Sequence, residues 1–134
     1  MNRQTEVAGL WLARALIAAI YLFSGVGKLM NFDGTVAYIA SKQLPLPAVA
    51  AGLAALVEVG GGLMLLIGLR ARIAAAAMVV FTLAAAFLFH DFWHSAPDQA
   101  QNQMIHFMKN LAMAGGLLLV VLQGAQPRES KTQV

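Results

Sequence analysis

Four long apolar runs, at 9–30, 48–69, 72–92 and 105–123, dominate what this chain can become. Each comes close to the roughly 20 helical residues needed to cross a hydrocarbon layer of about 30 Å. A backbone in lipid must bond to itself, which leaves only helices and closed barrels. The runs lack the two-residue alternation of barrel strands. The expected fold is therefore all-α, an integral membrane four-helix bundle. Composition agrees, since 60% of the residues are apolar and only 11% are charged, against about 25% charged in a soluble domain. Mean hydropathy is +0.71. The 134 residues read as one domain, with the helices in 1–126 and a disordered cytoplasmic tail at 127–134. Arg14 inside the first run, and the lack of a small-residue cleavage site, mark that run as a retained span rather than a signal peptide.

An even number of spans brings both termini to one side. Arg3, Arg14, Arg70, Arg72, Arg128 and Lys131 fall on that side, while Lys28, Lys42 and Lys109 fall on the other with Asp33, Asp91 and Asp98. The excess of basic residues places both termini in the cytoplasm. It also accounts for the net charge of +3 and the pI near 9.7, so no nucleic-acid partner is expected. The chain has no cysteine, which excludes thiol redox chemistry, thiolate metal sites and internal disulfides. Gly68-Leu69-Arg70-Ala71 is short enough to force an antiparallel hairpin. The connection after the first span holds an amphipathic piece around Tyr38 and Ile39, then Leu44-Pro45-Leu46-Pro47, whose prolines stop one helix and prepare the next. The polar segment 95–103, interrupted by Pro97, is expected to be a loop, and Phe89, Phe92, Trp93 and Phe107 an interfacial aromatic belt. Arg14 stands to Phe23-Ser24 as Arg72 stands to Phe81-Thr82, and Gly61-Gly62-Leu63 matches Gly115-Gly116-Leu117. A parallel duplication of a helical hairpin is one source of such matches, and chance in apolar sequence is the other.

The polar residues inside these runs carry the functional signal. Glu58 lies mid-span, where a charge costs about 2.5–3.5 kcal/mol on insertion scales, so it should face a partner or a cavity. Its helical stripe holds Ala51, Ala54, Ala55, Gly61, Gly62 and Leu65, all but the last small residues that let a neighbouring helix approach. On the first span Arg14, Tyr21, Gly25 and Lys28 share a stripe with Ser24 beside it. Arg14 is one candidate partner, offset from Glu58 by about 9 Å in depth, and Lys28, coming from the opposite side, is the other. The pair is either a structural bridge that sets packing or a functional carboxylate with its base. At the far boundary His90 and His94 stand one helical turn apart, and His106, Lys109, Asn110 and Met113 share a stripe on the fourth span. His-x-x-x-His alone is a weak ligand signal, so neither metal nor haem is expected. The alternatives are solvated interfacial residues and a polar pocket mouth where His90 and His106 bond a ligand or exchange protons. The glycines at 60–62 sit inside an apolar helix and are no phosphate loop.

Taken together, Leu22-Phe23-Ser24-Gly25-Val26-Gly27-Lys28-Leu29, then Leu44-Pro45, then Glu58 with Gly61-Gly62-Leu63 and Gly68-Leu69-Arg70-Ala71-Arg72 resemble the DoxX family of small four-helix bacterial membrane proteins. His90 and Asn110 fit the same pattern, and the likeness runs over roughly 10–124. The resemblance implies a cytoplasmic-membrane location and a link to quinone-dependent oxidoreductases, such as thiosulfate:quinone oxidoreductase, that handle sulfur or oxidative stress. It marks Arg14, Lys28, Glu58 and His90 as the family-type polar residues. The functional expectation is a subunit that binds a quinone or similar lipophile, with Glu58 and His90 moving protons and Arg14, Tyr21, Lys28, His106 and Asn110 binding. No redox cofactor site is evident, so electrons would come from a partner oxidoreductase subunit. The rivals are a small-solute or proton transporter gated by an Arg14–Glu58 pair, needing a homo-oligomer to enclose a pore, and a non-catalytic assembly subunit.

Overall fold

The computed structural model describes residues 2–123, and the tail expected at 127–134 lies outside them. Five α-helices follow one another: α1 (Arg3–Met30), α2 (Phe32–Ser41), α3 (Pro47–Ile67), α4 (Ala71–Phe89) and α5 (Pro97–Gln123), with a 3-10 turn at Phe92–His94. Four of them, all but α2, are long and apolar enough to cross a membrane. No strand occurs among the described residues.

Local chemistry explains the helix ends. Asn2 caps α1 by accepting from the Thr5 amide at 2.8 Å. Asn31 interrupts the next stretch: it closes α1 with its amide on the Gly27 carbonyl, 3.1 Å, and its own carbonyl accepts the first bond of α2 from Thr35, 3.0 Å. Pro47 stands in the first turn of α3, where its missing amide proton is harmless. Pro97 likewise opens α5. The segment 95–103, expected as a loop, is thus largely helix, because proline at a helix start initiates rather than breaks. The first and fourth spans accordingly start at Arg3 and Pro97, earlier than the apolar runs at 9 and 105. Their 28 and 27 residues extend about 40 Å and overshoot the hydrocarbon.

The α3–α4 turn is as tight as expected. Gly68 and Arg70 both adopt left-handed backbone, with φ of 78° and 44°. A side chain at Gly68 would also meet the Arg14 guanidinium, its Cβ lying 3.1 Å from Nη1. Gly68→Ala is expected to lower stability by about 1–2 kcal/mol, the cost of left-handed backbone for a residue with a Cβ. Reversible unfolding in mixed micelles measures this, and an unchanged midpoint would contradict it.

Packing joins α1 to α3 and α4 to α5 as two antiparallel pairs, with α3 against α4 between them. Ala18, Tyr21, Leu65, Ala75, Met78, Val79, Leu117 and Val120 form the buried centre. Outward residues such as Phe23 (85% exposed) and Val80 (70%) are apolar, as a lipid-facing surface requires. Short α2 buries Ile39 and reaches across to the end of α4: the Tyr38 hydroxyl donates to the Phe89 carbonyl at 3.4 Å, and Lys42 pairs with Asp91 at 2.8 Å. Phe89 therefore stacks with Tyr38 rather than joining the aromatic belt, which is built from Phe87, Phe92, Trp93 and Phe107.

Candidate functional site: a buried ion pair and a histidine stack

The polar residues sort into separate centres. The deepest is formed by α1 and α3. A four-residue spacing puts Ser24 and Lys28 one above the other on α1, and Gly25 between them lets α3 come close, since a Cβ there would stand 2.7 Å from Val59 Cγ2. Opposite sits Glu58, only 6% exposed. Lys28 Nζ donates to Glu58 Oε1 at 3.1 Å and to Ser24 Oγ at 2.8 Å, and Ser24 Oγ donates to the same Oε1 at 3.2 Å. Nζ also stands 3.0 Å from Oε2, but without hydrogen-bond alignment. Oε2 is thus enclosed with a charge beside it and no hydrogen bond. The ammonium is less enclosed, its side chain keeping 28% of its surface.

Glu58 is therefore paired with Lys28 and not with Arg14. The reason is depth. The Arg14 guanidinium lies against the Gly68 turn, and Gly68 is about ten residues, roughly 15 Å of helix, below Glu58. The smaller offset read from the apolar runs fails because α1 begins at Arg3 and is displaced along the bundle. Lys28 starts nearer the far end, but helical side chains lean toward their own N-terminus, which lowers its ammonium toward mid-depth. A gate built on an Arg14–Glu58 pair has no counterpart in this geometry.

One turn below, Tyr21 is buried and hydrogen-bonds Thr82 of α4. Thr82 Oγ1 donates to the Met78 carbonyl, so the phenol is the donor to Thr82. Its single proton is committed to joining α1 and α4, which removes Tyr21 as a free donor for a ligand.

The last centre lies where α4 ends. His90 is the C-cap of α4, and the chain then enters the 3-10 turn, so His90 and His94 do not share a helical face. His94 is exposed and stands 3.5 Å from Asp91. His90 instead stacks on His106 of α5, ring centres 5.1 Å apart and 22° from parallel. Gln103 Oε1 lies 2.9 Å from His90 Nδ1, and Lys109 Nζ lies 3.0 Å from His106 Nδ1. With Gln103 Oε1 as an acceptor and Lys109 Nζ as a donor, Nδ1 of His90 is the donor in its pair and Nδ1 of His106 the acceptor in its own. Asn110 is buried one turn further along α5, with no side-chain hydrogen bond among the described residues. No group of three metal-ligating residues occurs among them either.

Sequence reasoning did not mark Ser24, Thr82 or Gln103 as site residues. Ser24 had a signal, the four-residue step to Lys28. Thr82 had a fainter one, as a hydroxyl inside an apolar run, and Gln103 had none, lying in a segment expected to be a loop.

Four apolar helices around a carboxylate–ammonium pair at mid-depth define a small multi-span membrane protein with a polar interior. The chain belongs to the DoxX family, which it matches over residues 9–91. It is 36% identical to "Inner membrane protein YphA" of Escherichia coli (strain K12), over 86% of this chain and 82% of that one. It is 34% identical to "Inner membrane protein YqjF" of the same organism, over 91% and 88%. No solved structure gives a significant match. With its four spans, this places the protein in the inner membrane.

Proposed function

We propose that the protein binds a quinone, or an amphipathic small molecule of the same kind, at the Ser24–Lys28–Glu58 centre, and serves as a subunit for a membrane oxidoreductase partner. In this reading the termini are cytoplasmic, by the arginines at their end of the bundle. The observation that carries it is Glu58 Oε2, enclosed without a hydrogen bond beside a part-exposed ammonium. Nζ stands 3.0 Å from Oε2 but out of hydrogen-bond alignment, so the missing bond costs less than a wholly unpaired buried atom would, about 1–3 kcal/mol, yet it leaves an acceptor site open. A ligand hydroxyl donating to Oε2 would recover that cost, and a ligand carbonyl could accept from Lys28 Nζ. A quinone, when bound, supplies two-electron redox chemistry in both of those forms. On the protein side, Lys28 orients, Ser24 links ammonium to carboxylate, and Glu58 holds or passes a proton. His90 and His106 are a second proton-exchange point at the boundary. Arg14 lies too far away to touch the same small ligand.

Mass spectrometry of lipophilic molecules extracted from the purified protein tests this. The wild type is expected to carry one quinone-like species near stoichiometric amount, and Glu58→Gln to retain at least about tenfold less, the loss of one charge-assisted bond. A wild type free of any such species overturns the reading.

A further inference from the structure

Among the described residues, the end of the bundle opposite His90 carries more basic than acidic side chains. Among the described residues Arg3, Arg14, Arg70 and Arg72 lie there, and Glu6 is the one acid near them. Arg72 has work of its own, its Nε donating to the Val121 carbonyl at 3.1 Å and so fastening α5 to α4. Arg14 differs. It is half-buried, its Nε is enclosed without a hydrogen bond, and its Nη1 rests against the Gly68 turn. Immediately beyond that turn α4 begins at Ala71; its N-cap residue, Arg70, supplies no side-chain cap, and its first turn holds no acidic residue. Among the described residues no acidic group answers the positive end of the helix dipole. Two open grooves lie at this end of the bundle, one lined by Arg14 and the other by the Gly68 turn that Arg14 rests against. One, about 540 Å³, runs from Arg14 along Val7, Ala8 and Trp11 of α1. The other, about 680 Å³, holds Gly68, Arg70 and Arg72.

We propose that this end of the bundle binds the phosphate headgroup of an acidic phospholipid, gripped by Arg14 and Arg70 beside the start of α4, with an acyl chain along Val7, Ala8 and Trp11. A guanidinium fork matches two phosphate oxygens, and a helix start adds favourable dipole and free amides. Depth supports the assignment, because the turn at 68–71 stands where two spans leave the hydrocarbon, the level of the lipid phosphates. A half-buried guanidinium with no carboxylate partner among the described residues is costly alone, and an anion at its outer nitrogens relieves part of that cost. Free phosphate offers the same oxygens but makes no use of the apolar wall of the first groove, which is why the lipid is the chosen occupant.

Native mass spectrometry of the full chain, released from micelles doped with phosphatidylglycerol or phosphatidylcholine, reads the site directly. The wild type is expected to retain one phosphatidylglycerol and to release phosphatidylcholine. Arg70→Gln, on the exposed turn and harmless to the core, should hold the anionic lipid about tenfold less well, the loss of one charge-assisted bond. Arg14→Lys, which keeps the charge and loses the fork, should lose a similar factor, while Lys42→Gln at the opposite end should change nothing. Equal retention of both lipids, or unchanged retention in both arginine variants, overturns the proposal. So does inorganic phosphate raising the wild-type melting temperature as far as phosphatidylglycerol does, since that result defines a free-anion site.

Discussion

Lys28→Met is expected to destabilise the protein by about 3 kcal/mol, the low end of the range found when one member of a buried ion pair is removed, because the ammonium keeps 28% of its surface. The substitution keeps the length and apolar stem of the side chain but deletes the ammonium, leaving Glu58 enclosed on α3 with Ser24 as its remaining hydrogen-bond donor. Most of the cost is the stranded carboxylate rather than the lost attraction. The double variant Lys28→Met with Glu58→Met should therefore recover to within about 1 kcal/mol of wild type, because an apolar pair of similar volume is often as stable as the ion pair it replaces. Unfolding titrations in mixed micelles, followed by far-ultraviolet circular dichroism, measure all three proteins. A double variant no better than the single one would show that stranded charge is not the cause. The double variant has a second use. If it folds but no longer carries the lipophile, the charges act in binding; if it folds and still carries it, the bridge only sets packing.

The run Ser24-Gly25-x-x-Lys28 acquires a physical meaning from this centre. Ser24 and Lys28 supply the donors, and Gly25 the close approach that brings Glu58 to them. The spans themselves are legible in the sequence because hydrocarbon imposes one rule on every residue in them, and apolar runs report it directly. Helix ends at Arg3 and Pro97 are not legible that way, since they lie in polar sequence where a cap or a proline decides locally. The partner of Glu58 was readable only as a choice of two cations. Deciding between them needs the relative depth of α1 and α3, which depends on where α1 begins and on the break at Asn31. The stack of His90 on His106 joins two spans across a turn, and a helical wheel of either one carries no trace of it.

Gly25→Ala tests the close approach on which that centre depends, and its effect should be large for a single methyl group. The added carbon would stand 2.7 Å from Val59 Cγ2, 2.9 Å from Glu58 Cβ and 3.1 Å from the Val59 amide nitrogen. Valine is stiff at this position in a helix, and a backbone nitrogen cannot rotate away, so the helices themselves must separate. Overpacking of this kind costs about 1–3 kcal/mol. The separation also lengthens the Ser24 and Lys28 bonds to Glu58, each worth about 1.5–3 kcal/mol to a charged group, so a total of roughly 3 kcal/mol or more is expected, with loss of any bound lipophile. Gly27, two residues along the same helix, is the control: nothing lies within 4 Å of a Cβ there. Gly27→Ala should leave stability unchanged or raise it by up to about 1 kcal/mol through helix propensity. Equal unfolding midpoints for the two alanine variants would mean that the α1–α3 contact is not what holds Lys28 and Glu58 together. A drop confined to Gly25→Ala, with loss of the ligand in that variant alone, ties the close contact of the two helices to the chemistry of the carboxylate.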